Sequence, residues 1–123
     1  MKVKIDTREK FTIITPESDF AADNLTAELK DLLASLLQHN TNLVINLKNI
    51  STGKENFVNE LAAWQQRFYE QQVSFVICEL QLPLRALVNQ LDLDSELNIT
   101  LTETEAWDMV QMEEIERELL GDE

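Results

Sequence analysis

The chain has 123 residues, 44% of them hydrophobic and 27% charged, with 23 acidic against 10 basic side chains and a formal charge of −13. That length suits one domain with a core of its own. The acidity excludes a generic phosphate-backbone binder, whose affinity rests on clustered Lys and Arg, and it excludes adhesion to anionic lipid.

Val3 and Ile5 alternate with Lys2, Lys4 and Asp6, the period-two signature of a half-buried strand. Phe11 to Thr15 is a second strand, and the polar break between the two predicts a hairpin ended by Pro16. Ser18, Asp19 and Asp23 are candidate N-caps for a helix whose apolar stripe is Leu25, Leu29, Leu32, Leu33 and Leu36. Leu43 to Leu47 is a short apolar run suited to a strand covered on both faces. A loop follows, then a helix marked by Phe57, Leu61, Trp64 and Phe68, then a buried strand from Val73 to Cys78. Pro83 fits the first turn of a third helix carrying Leu84, Leu87, Val88 and Leu91. Asn98 to Leu101 reads as a last short strand, and Thr104 as the cap of a final helix. This order predicts an α/β domain with a mixed, mostly parallel sheet, an antiparallel N-terminal hairpin and about four helices.

The negative charge concentrates at the end of the chain. From Glu103 onward nine acids accompany one base, Arg117, for a net of −8. Such a run serves either as a solvated face or as a docking surface for a basic partner. Cys78 is the single cysteine, so an internal disulfide and a Cys-based metal site are both excluded. The first residues lack an apolar signal core, and no apolar run approaches the roughly 18 residues of a membrane span. A cytoplasmic location without membrane insertion is expected.

The residues offer little to catalysis. Thr52-Gly53-Lys54 lacks the earlier glycine and the following Ser or Thr of a phosphate loop, and Glu55 stands where a phosphate would be repelled. His39 is the only histidine and ends a helix, with no nucleophile paired to it in sequence. Carboxylates are scattered, so neither a metal nor a cofactor is expected. Trp64 and Tyr69 are the aromatics that could reach a surface, while Phe57, Phe68 and Trp107 read as packing anchors.

Leu43 to Leu47 followed by Lys48-Asn49-Ile50, the segment Leu84 to Leu93 leading to Ile99, and Thr104-Glu105-Ala106 together resemble a STAS domain. That family contains the anti-sigma factor antagonists and the cytoplasmic domains of sulphate transporters. The resemblance covers residues 1–110 and leaves 111–123 as an acidic helical extension or tail. Aligned from Asn46-Leu47, the family's Asp-Ser-Ser-Gly falls on Lys54-Glu55-Asn56-Phe57, so Glu55 occupies the place of the phosphorylated serine. The resemblance implies a non-enzymatic, protein-binding regulatory module that has lost this switch, with a serine-kinase-type anti-sigma factor as partner. Ser51 and Thr52 are the only hydroxyls near enough to replace the serine. The implied partner surface is Ser51, Thr52, Gly53, Lys54, Glu55, Asn56, Asn59 and Glu60. Two alternatives are a STAS subunit on the cytoplasmic side of a membrane transport complex and a small-ligand sensing domain.

Overall fold

Apolar side chains on both faces of the central strands set the layering of this molecule. The computed structural model describes residues 3–17, 26–51 and 53–121. Strands β1 (Val3–Thr7), β2 (Thr12–Pro16), β3 (Leu43–Asn46), β4 (Phe75–Cys78) and β5 (Ile99–Thr100) form one sheet in that spatial order. The hairpin is antiparallel, with Ile5 opposite Ile14, and the remaining pairs are parallel, with Leu43 opposite both Thr12 and Phe75. Helices α1 (Ala27–Gln38), α2 (Glu55–Glu70), α3 (Leu82–Gln90) and α4 (Glu103–Gly121) complete the α/β architecture.

Alternation along each strand divides the core in two. Ile14, Leu43, Ile45, Phe75 and Ile77 pack with Leu29 and Leu33 of α1, Phe57, Leu61 and Phe68 of α2, and Leu84 and Val88 of α3. The intervening residues Ile13, Val44, Val76 and Cys78 face Ala106 and Val110 of α4. Every residue of β3 and β4 is therefore buried, as strands sandwiched between helical layers must be. Trp64 is buried as well, with the Arg67 guanidinium 4.0 Å from its ring centroid. Tyr69 lies exposed.

Several boundaries depart from the sequence expectation. Ser18, Asp19, Asp23 and Leu25 lie outside the described residues, and the cap of α1 is Thr26, whose Oγ1 accepts from Leu29 N–H at 3.2 Å. Pro16 belongs to β2 as its last residue instead of following it. Ile5 is exposed, because β1 is an edge strand. Thr102, not Thr104, caps α4. Its Oγ1 accepts from Glu105 N–H at 3.2 Å, while Glu105 Oε1 accepts from Thr102 N–H at 3.1 Å. That reciprocal pair is a capping box, and it satisfies two donors that the helix start leaves unpaired.

Three helices end on the same device, built without glycine. Asn40, Gln72 and Asp92 have φ of 54°, 60° and 56° immediately beyond the ends of α1, α2 and α3. Each next residue then donates back across the turn: Thr41 to Leu36 O, Val73 to Phe68 O and Leu93 to Val88 O. These are Schellman motifs, in which a left-handed residue is ordinarily glycine. A side chain in that conformation costs roughly 1–2 kcal/mol, less for Asn and Asp, which bond locally. Gln72 has no such relief. Gln72→Gly is therefore expected to stabilise the fold by about 1 kcal/mol, read as a raised urea midpoint with unchanged slope.

Candidate functional site

Parallel neighbours send their chains out at the same end of a sheet, so the loops after β3 and β4 meet. The loop after β3 starts as a tight turn in which Asn46 Oδ1 accepts from Lys48 N–H at 3.0 Å. Two side chains from other elements then hold it. Asn49 Nδ2 donates to Pro16 O at 3.0 Å, and Gln81 Nε2, just before α3, donates to Lys48 O at 2.6 Å. Ile50 is fully buried beneath. A Cβ placed on Gly53 would stand 2.8 Å from Leu84 Cδ2 and 3.0 Å from Phe57 Cδ2, so any side chain here would force Leu84 or the loop to shift.

Lys54 caps α2 with its backbone: its carbonyl accepts from Phe57 N–H at 3.0 Å. Glu55 is the first helical residue and is exposed, where a carboxylate interacts favourably with the positive end of the helix dipole. Asn59 follows one turn later on the same exposed ridge. Asn56 and Glu60 form the neighbouring ridge, and Glu60 Oε1 lies 3.5 Å from Lys30 Nζ of α1. Ser51 and Gly53 are half-buried in the loop. Thr52 lies outside the described residues.

Beneath this surface sits a polar cluster. Asn46 Nδ2 donates to Glu103 Oε2 at 3.0 Å and reaches Glu79 Oε2 at 3.5 Å, and Asn46 pairs with Cys78 across the sheet. Glu79 itself holds a left-handed backbone, φ 58°, in the loop after β4 and away from any helix end. Burial pushes the Cys78 thiol from 9.0 up to about 12, with Glu103 and Glu79 adding to the effect and Lys48 opposing it. A thiol held protonated is a packing group and not a nucleophile.

The sign of the consequence follows from linkage. Below the unfolded pKa both states carry the proton; above it only the folded state does, so stability falls as pH rises toward the folded value. At about pH 10.5 the expected loss is roughly 2 kcal/mol. Urea unfolding at about pH 8 and pH 10.5 should show a steeper alkaline loss for the natural chain than for Cys78→Ala. Equal losses would mean that the thiol ionises freely in the fold.

Among the described residues no group of three or more His, Cys, Asp or Glu side chains is placed to hold a metal ion. No helix among them is long and apolar enough to cross a membrane. His39 is exposed at the end of α1, its Nδ1 2.8 Å from Ser35 O.

No family model matches the chain, and no curated protein matches it in sequence. Solved structures do match. A protein of Thermotoga maritima assigned as an anti-sigma factor antagonist superposes with a TM-score of 0.78 at 14% identity, over 89% of this chain and 94% of its own. An anti-sigma-factor antagonist (STAS) domain protein of Planctomyces limnophilus superposes with a TM-score of 0.66 at 17% identity, over 89% and 97%. This is a STAS fold. The serine-to-glutamate form of RsbS from Moorella thermoacetica shares it as well, with a TM-score of 0.68 at 15% identity, over 90% of this chain and 96% of its own.

Within the STAS fold the described members of the expected surface, Ser51 to Glu60, are contiguous on the loop after β3 and the start of α2. Leu82, at the first position of α3, is 79% exposed beside Gln81, and nothing in the sequence alone singled it out. The available signal was topological: two successive parallel strands bring their following segments together although some thirty residues separate them.

Proposed function

We propose that this chain is a non-enzymatic regulatory module that acts by docking the Ser51–Glu55 loop and the first turns of α2 onto a protein partner, in the manner of the anti-sigma factor antagonists that share its fold. The observation that carries this reading is the anchoring of the loop from both sides. Asn49 and Gln81 hold the residues leading into it to β2 and α3, which lowers the ordering cost of presenting the surface that follows. Residues 1–110 form the docking module, and 111–123 are its acidic extension.

The partner is a serine-kinase-type anti-sigma factor in the cytoplasm, and Glu55 stands where antagonists that switch carry serine. A glutamate brings one negative charge where a phosphoserine brings about −1.5 to −2, so Glu55 fixes the module in one intermediate state. The Moorella thermoacetica neighbour is itself a serine-to-glutamate form, and its sharing of the fold supports this reading.

Glu55→Lys is expected to weaken the complex about tenfold, because it inverts the charge at the centre of the surface and opposes the dipole of α2. A pull-down titration against the anti-sigma factor measures it, and unchanged affinity would remove Glu55 from the interface. Incubation with the same factor and ATP should leave the mass of the chain unaltered. A phosphate found on Ser51 or Thr52 would show instead that the switch survives in a shifted loop. Co-purification with a transport ATPase in place of an anti-sigma factor would reassign the partner.

A further inference from the structure

The second half of α4 bears apolar side chains that the core does not use. Met112, Ile115 and Leu119 are 61%, 55% and 71% exposed. Their spacings of three and four are those of the a, d and a positions of a coiled-coil seam. The opposite side of the helix is fixed to the sheet. Ala106 and Val110 are fully buried, and Arg117 Nη2 donates to Asn42 Oδ1 at 3.3 Å and to Ser74 Oγ at 3.1 Å. That clamp sets the rotation of α4 and turns the seam outward.

Charge decides what can cover it. Glu116 and Glu118 occupy the e and g positions that flank the seam, and Asp108 stands on the same face two turns before Ile115. A second copy of α4 packed along the seam would set these acids against acids. A helix carrying Lys or Arg at its own flanking positions would meet opposite charge at Glu116 and Glu118.

We propose that the outer seam of α4 is a docking face for a basic amphipathic helix of a partner protein. It lies on the other side of the sheet from α2, so this face and the Ser51–Glu55 loop can be occupied independently. The proposal stands whether or not the loop binds an anti-sigma factor.

The test uses a fluorescein-labelled helical peptide of about three heptads with Leu at a and d and Lys at e and g, titrated against the whole chain by anisotropy. A contact of two helical turns is small, so dissociation constants on the order of tens of micromolar are expected. Ile115→Ser combined with Leu119→Ser should weaken binding at least tenfold while preserving all charges, and Glu55→Lys should leave it unchanged. Glu116→Lys combined with Glu118→Lys should reverse the preference toward a peptide with Glu at e and g. Absence of binding overturns the proposal, as does binding that survives the double serine variant, which would be attraction to acidic charge alone. Retained preference for the Lys peptide after the charge reversal overturns it too, as does sedimentation showing a dimer of the chain that the serine variant dissolves.

Discussion

Phe68→Ala is expected to remove about 3–5 kcal/mol of stability, the range for deleting a buried aromatic ring whose cavity cannot collapse. Phe68 is fully buried on α2, with its ring centroid 5.0 Å from that of Phe75 on β4 and 6.4 Å from that of Trp64. It therefore couples the helix that carries the candidate surface to β4, the strand beneath it. A domain of ordinary stability, about 5–15 kcal/mol, would lose about a fifth or more of its total. Urea denaturation followed by tryptophan fluorescence measures the change, with Tyr69→Ala as control. Tyr69 is the next residue but is 72% exposed, and its loss should stay within about 0.5 kcal/mol. Similar costs at both positions would mean that α2 does not bury the face described here.

Asn42→Ala is expected to cost about 2–4 kcal/mol through a different mechanism. This buried amide uses both of its ends. Its Nδ2 donates to Lys10 O at 3.0 Å and to Glu114 Oε1 at 2.7 Å, and its Oδ1 accepts from Ser74 N–H at 2.9 Å and from Arg117 Nη2 at 3.3 Å. Alanine would strand the buried Ser74 N–H and take one partner each from Glu114 and Arg117 of α4. Hydrogen exchange should separate the two consequences: faster exchange in the second half of α4 marks the lost clamp, and faster exchange at Ser74 marks the orphaned donor. Asn42→Asp keeps the acceptor for Ser74 and Arg117 but sets a carboxylate against Glu114. It should therefore recover part of its deficit as the pH falls and the carboxylates are protonated.

These two residues mark how far the sequence could be read. Phe68 belongs to a helical stripe that repeats every three to four positions, and such periodicity survives folding unchanged. The same holds for the apolar runs that became β3 and β4, and for Pro83 in the first turn of α3. Asn42 offers no such pattern, because its partners lie 32, 72 and 75 positions away in sequence. The capping box at Thr102 was legible, as Thr-x-x-Glu, but Thr104 offered a competing cap among the same acids. At the candidate surface, the loop and Glu55 were found from the order of strands and helices. The supporting bonds from Asn49 and Gln81 required knowing which loops share an end of the sheet.

The spatial order of the sheet, β1 to β5, is also its order along the chain. Each strand is added beside the one formed just before it, so no pairing waits for a later segment to be threaded between two earlier ones. The hairpin closes a short loop, whereas the parallel pairs join residues as far apart as Thr12 and Leu43 or Leu43 and Phe75, an entropic cost that grows only slowly with loop length. The sheet can thus grow in the direction of synthesis, each edge serving as template for the next strand. α4, the last helix in the chain, closes backward at both ends of the sheet: Glu114 and Arg117 reach Asn42 and Ser74 ahead of β3 and β4, and Glu103 reaches Asn46 at the end of β3. The C-terminal helix therefore staples the sheet at both of its ends, and the polar cluster beneath the Glu55 loop is complete only with that helix in place.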